Sequence, residues 1–196
     1  MNFVDRIGAI IEDVRFEWND STSEQPYYLY GHPKEIFNTL SEKDQNETYK
    51  YSKYPLIALF QDFEESVEKD LVTVQNITIV IMTETSPDYK ASNRYENTFT
   101  PVLIPIYDLL MKHLKWSPFV RSDDFYTHKK HDRLYWGTGD EWGNMLRIGN
   151  DALDAIVISG LSLGVIECKN VDNSVFISED GDYLTTESGN KIITEG

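Results

Sequence analysis

The sequence predicts an α+β domain: an antiparallel sheet of about four to five strands packed by two to three helices, with an extended C-terminal tail. Three stretches carry that expectation. Residues 54–116 run from a short apolar segment, Tyr54 to Phe60, through an alternating strand, Val72 to Met82, into an apolar helix from about Arg94 to Lys115. The N-terminal residues repeat apolar side chains at helical spacing, and residues 152–167 hold a last apolar strand. Two strands followed by a helix that can lie across them nucleate a layered domain.

In chain order, Phe3, Ile7, Ile10, Ile11 and Val14 face one way, with Asp5, Arg6, Glu12 and Asp13 opposite, which predicts an amphipathic helix. It should stop near Trp18, because Asn19-Asp20-Ser21-Thr22-Ser23 is loop material. Tyr27-Tyr28-Leu29-Tyr30 reads as a short aromatic strand that Gly31-His32-Pro33 breaks. A second helix is expected from Pro33 or Lys34 to about Leu40, with Ile36, Phe37 and Leu40 inward and proline in the first turn. Ser41 to Ser52 is polar and reads as a loop.

Leu56 to Phe60 is apolar without alternation, so this strand should be covered on both faces. Gln61 to Asp70 is acidic and reads as a hairpin connection. In the next strand Val72, Val74, Asn76, Thr78 and Val80 alternate with Thr73, Gln75, Ile77, Ile79 and Ile81. From Ile77 onward both sets are apolar, so the strand runs from a half-wet edge into the core. Thr83 to Asn93 is a long polar loop, and long ordered loops are often binding devices. Pro101 and Pro105 should break the helix that follows, leaving a short turn from Arg94 to Phe99 and a main helix from Pro101 or Pro105 to Lys115. Phe125 to Trp136 reads as a strand, with His128, Lys130, Asp132, Leu134 and Trp136 on one face. The final strand carries Ile156, Ile158, Leu161, Leu163 and Val165, and Gly160 within it marks a bulge or bend.

Residues 1–168 are expected to form the α+β core and residues 169–196 an acidic repeat tail. In the tail Ile177-Ser178-Glu179-Asp180-Gly181 recurs as Thr185-Thr186-Glu187-Ser188-Gly189, and Ile193-Thr194-Glu195-Gly196 begins a third copy. One short β-prone unit cannot bury its own apolar side chains, so the tail should be mobile or pair with a neighbouring chain.

The formal net charge of −15 argues against tight DNA binding, which needs Lys and Arg on the phosphates. It suits a wall past which a duplex slides without sticking, and it also serves solubility. A single cysteine, Cys168, excludes an intramolecular disulfide and a multi-thiolate zinc site. The N-terminus lacks a basic segment followed by an apolar run, and no apolar run approaches a membrane span, so a cytoplasmic site of synthesis is expected. Twelve tyrosines are compatible with wide interfaces, since tyrosine tolerates both burial and contact.

No reactive constellation emerges. His128 and His131 lie three apart, which on a strand sends them to opposite faces, so they should not chelate one ion. Residues 128–132 are better read as a basic, hydrated strand that pairs with acidic surface elsewhere. Asp123-Asp124, Asp140-Glu141 and Asp180-Gly181-Asp182 are acidic pairs with no defined separation across a cleft. Asp180, Asp182 and Glu187 lack the rest of a calcium-loop pattern, and Cys168 beside Lys169 is an isolated thiol. No phosphate-binding glycine loop or nucleophile elbow is present. The expectation is no catalytic, cofactor-binding or metal residues, and no enzyme.

Several segments together carry a family resemblance: Tyr54-Pro55-Leu56-Ile57, Ile77 to Met82, Arg94-Tyr95-Glu96-Asn97, Phe99-Thr100-Pro101-Val102-Leu103-Ile104-Pro105-Ile106-Tyr107, and His128 to Gly137. The chain resembles tail-terminator and neck ring-type virion proteins of tailed phages of Bacteroidetes, including crAss-like phages. The resemblance covers about Tyr28 to Val165 and leaves out the tail. It implies a head-tail connector or tail terminator, a homo-oligomeric ring around the DNA channel, assembled in the host cytoplasm and located in the virion neck or tail. Implied partners are portal, adjacent ring and tail tube or hub proteins, with genome DNA passing without sequence-specific binding and no membrane. The loop Thr83 to Asn93 and the repeat tail are the implied contacts to neighbouring rings. The alternative is a tail-tip or adsorption protein whose C-terminal repeat binds a receptor or partner. A wall hydrolase is the enzymatic rival.

Overall fold

The computed structural model describes residues 2–19, 25–45, 52–68, 71–117, 120–121, 127–133, 152–166, 174–175 and 193–194. The chain divides into two units, Met1–Ile166 and Glu167–Gly196. In the first, helix α1 (Phe3–Asn19) buries Phe3, Ile7, Ile10, Ile11, Val14 and Trp18, the stripe its spacing predicts. Asn2 caps it: the carboxamide oxygen accepts from the Asp5 N–H at 2.8 Å. Helix α2 (Pro33–Asp44) is fixed by a capping box. The His32 ring accepts from the Lys34 N–H at 3.2 Å, and the Glu35 carboxylate accepts from the His32 N–H at 3.3 Å. The helix runs one turn beyond the expected end at Leu40, since no breaker follows and polar side chains can extend an exposed last turn.

Seven strands form the sheet: β1 (Tyr27–Gly31), β2 (Leu56–Phe60), β3 (Glu64–Glu68), β4 (Leu71–Glu84), β5 (Val120–Arg121), β6 (Lys129–Arg133) and β7 (Leu153–Ile166). The main path is β1-β2-β4-β7-β5, with β3 also on β4 and β6 also on β7. The 14-residue strands β4 and β7 make the central ladder, and each has its outer side divided between two short strands. Pairing is antiparallel except for β1 with β2. Helix α2 lies between those two in the chain, and a crossover returns the chain in the same direction. The acidic stretch expected as a plain connection contains β3, and β5 was not anticipated. Of the expected strand from Phe125 to Trp136, the described part is β6.

Helices cover both faces. On one, α1 and the helix after β4 pack on Ile57, Leu59, Ile79, Ile81, Ile156 and Ile158. On the other, Ile36, Phe37 and Leu40 of α2 pack on Leu56, Ala58, Val80, Met82 and Ala155. The uniform apolarity of β2 is thus explained by cover on both sides.

The long strands change face midway. Asn76 has φ 60 and Gly160 has φ 63, both left-handed. Val74 and Ile77, three apart, consequently lie in the same core cluster, as do Ile158 and Leu161. Val74 pairs with Leu163, Ile77 with Leu161 and Ile79 with Ile158, so the extra residue on β4 is followed at once by one on β7 and the register is restored. The bend read from Gly160 is present. Strict alternation through Asn76 does not hold, because the bulge there shifts the period by one.

The predicted break at Pro101 is overturned. Helix α3 (Ala91–Arg94), a π-helical segment (Tyr95–Leu103) and helix α4 (Ile104–Trp116) follow without interruption. The wider turn accommodates Pro101, which has no N–H to give and clashes with a carbonyl at α-helical spacing. The Asn97 carboxamide donates to the Asn93 carbonyl at 2.7 Å, an extra donor in the region where the ladder changes step. Pro105 sits in the first turn of α4.

In the second unit, β8 (Ser174–Val175) pairs antiparallel with β9 (Ile193–Thr194). Among the described residues, no helix is long and apolar enough to cross a membrane.

Candidate functional site

Arg94 is 1% exposed and Asp154 is fully buried. Arginine and aspartate are rarely enclosed unless paired, so the place where β4, α3 and the start of β7 meet stands out. Arg94 is the last residue of α3, which aims its side chain under the connection 85–90. Its Nη1 donates to Asp154 Oδ1 at 3.0 Å and to Thr85 Oγ1 at 3.2 Å. Nη2 donates to the Ser86 carbonyl at 2.9 Å and Nε to the Tyr89 carbonyl at 3.0 Å. The Thr98 hydroxyl lies 2.8 Å from Asp154 Oδ2 and 2.6 Å from the Arg94 carbonyl, with one proton for the two acceptors. The planar guanidinium fork suits this task, since one side chain reaches a carboxylate and two backbone carbonyls at once.

The result is a braced knuckle. The loop expected over Thr83 to Asn93 is shorter than the sequence suggests: β4 continues to Glu84 and α3 begins at Ala91. The six residues between are held from beneath by Arg94. Beside the knuckle lies an open cleft of about 610 Å³ lined by Glu84, Thr85, Ser86, Tyr89, Asn97 and Thr98, among others. Its polar groups are hydroxyls, an amide and one carboxylate, which suit hydrogen bonding to a partner's chain. Tyr89 of the lining is exposed, and so is Tyr95, the residue after Arg94.

A second cluster joins α4 to β6. The Tyr107 hydroxyl and His128 Nε2 are 2.7 Å apart, and Lys130 Nζ sits 5.4 Å from the Tyr107 ring centre. Burial holds the His128 pKa below its ordinary value and raises that of Tyr107. His131 lies within β6, paired with Val157, whereas His128 stands just before the strand, against Tyr107. On the outer surface, Lys112 and His113 meet Glu17 at 2.6 and 2.9 Å, and their hydrogen bonds, Lys112 first, hold the Glu17 carboxyl below its usual range.

Among the described residues, no three His, Cys, Asp or Glu side chains are grouped to hold a metal ion. Asp123, Asp124, Asp140, Glu141, Cys168, Asp180, Asp182 and Glu187 lie outside the described residues. The sequence reading missed Asp154 altogether. The available signal was a lone carboxylate among mostly apolar residues of a strand, with an arginine just ahead of the apolar helical run.

No family model and no curated protein matches this chain.

Proposed function

We propose that this protein is a structural, non-enzymatic subunit of a tailed-phage virion, forming a ring in the neck or tail, as head-tail connector or tail terminator, around the DNA channel. One observation carries the reading. The residues on which the resemblance rests serve as braces: Arg94 fixes the knuckle, Tyr107 and His128 tie α4 to β6, and Tyr54-Pro55 leads into β2. They hold shape, which is what a subunit that must match its neighbours requires. The charge of −15 supports passage of DNA through a lumen without capture. The braced knuckle, with Tyr89 and Tyr95 outward, is the proposed contact to an adjacent ring, since tyrosine supplies large contact area and a polar tip.

The test is purification of the full chain, light scattering and negative-stain imaging, then pull-down with portal and tail components. Rings that capture those components are expected. A monomer that binds neither overturns the reading. Deleting residues 173–196 separates it from an adsorption role: loss of assembled particles supports a ring subunit, whereas intact particles that no longer attach to the host support a tail-tip protein.

A further inference from the structure

Two of the short outer strands of the sheet carry opposite charge. Strand β3 reads Glu64-Glu65-Ser66-Val67-Glu68 and β6 reads Lys129-Lys130-His131-Asp132-Arg133. They flank opposite sides of the β4–β7 ladder, and each is five residues long. Among the described residues, each has a strand on one side only. A single-sided strand offers a row of backbone groups to another chain.

We propose that copies of this protein join head to tail by pairing β6 of one with β3 of the next, extending one sheet from subunit to subunit. Direction is consistent. Strand β3 is antiparallel to β4, β4 to β7 and β7 to β6, so β3 and β6 run oppositely and meet antiparallel in copies of like orientation. Faces agree as well. Lys129, His131 and Arg133 alternate with Lys130 and Asp132, which pair with the core residues Ile158 and Ile156. On β3, Glu65 and Val67 pair with Val74 and Val72 of that same core side. Centring His131 on Ser66 therefore sets the basic positions 129 and 133 of one copy in register with the acidic positions 68 and 64 of the next, an arrangement in which opposite charges across strands stabilise. The cost is Asp132 opposite Glu65. Lys130, 2.5 Å from Asp132, lies on the same face and offsets it.

Charge also selects the symmetry. A two-fold contact would set β3 against β3 or β6 against β6, like against like. The head-to-tail contact is heterologous and generates a ring when the rotation closes. Strands β3 and β6 sit at opposite ends of the ladder, so each copy is stepped along the strands from the last, a step that tilted strands absorb as in barrel shear. The pairing deepens the ring reading and does not need the virion.

The experiment uses full-length chains and light scattering across a concentration series. Lys129→Glu with Arg133→Glu, and separately Glu64→Lys with Glu68→Lys, should each raise the assembly midpoint by roughly tenfold or more. Mixed one to one, the two variants should assemble again, alternating around even-numbered rings. A chain carrying all four substitutions should assemble alone, which separates lost pairing from lost folding. Assembly of either variant alone like the wild type, no recovery in the mixture, or no recovery by the fourfold chain overturns the pairing. In the first case rings persist, and the ring reading stands without this interface.

Discussion

Asp154 and Arg94 make the least forgiving contact in the molecule, because both charges are buried and each is the other's counter-charge. Asp154→Ala or Arg94→Met should cost about 3–5 kcal/mol, read as a shift of the urea midpoint, since truncating one partner removes the counter-charge of a buried ion. The double variant Arg94→Met with Asp154→Leu should recover much of that loss in stability, because neither charge remains to be desolvated. It should not recover the knuckle, whose Ser86 and Tyr89 carbonyls would lose their donor. His128 gives a pH dependence. Its folded pKa lies below the ordinary value because burial disfavours the imidazolium. The stabilising contribution is therefore complete above the unfolded pKa of about 6.5 and is lost as pH falls through the folded value. The urea midpoint should drop as pH falls below about 6.5, and His128→Gln should flatten that drop; an unchanged slope would assign it to other groups.

At the level of elements, the two left-handed residues decide which face each half of β4 and β7 presents. Gly160→Ala should cost about 1–2 kcal/mol through its backbone alone, because φ is +63° and an added Cβ meets nothing within 4 Å. Asn76→Gly should be neutral or mildly stabilising and Asn76→Ala destabilising, measured by thermal unfolding, since asparagine tolerates this region less well than glycine and better than alanine. These positions also show what the sequence could disclose. Gly160 is legible as a bulge because glycine inside a strand has few other reasons to be there. Asn76 is not legible, because a polar residue between Val74 and Thr78 fits plain alternation equally well. Helix α1 was readable from its stripe alone, and β2 from its lack of alternation. Strand β3 was hidden because four of its five residues are polar, and what makes it a strand is the unpaired side of β4. Pro101 misled for a related reason: the rule that proline ends a helix presumes α spacing, and the π turn removes that premise. Arg94 stood at the head of the expected helix, although α3 begins at Ala91, and its partner Asp154 lies 60 residues on, a long-range pairing that no local pattern encodes.

For the whole molecule, a charge of −15 and an electrostatic edge contact act against each other at different ranges. Repulsion between subunits sums over the full surface and works across tens of ångströms. The proposed contact between the basic and acidic edge strands works at short range and is partly desolvated once the strands pair. Salt separates the two, because the screening length is about 30 Å at 0.01 M, about 8 Å at 0.15 M and about 3 Å at 1 M. Raising salt from 0.01 to 0.15 M should remove most of the long-range repulsion while leaving contacts of about 3–4 Å largely intact, so assembly should strengthen over that interval. Toward 1 M the exposed cross-strand pairs are screened in turn, and assembly should weaken again. The expected signature is a maximum in assembled fraction near physiological salt, read by light scattering at fixed protein concentration. A steady rise to 1 M would mean that apolar contact, not the charged edges, holds the copies together.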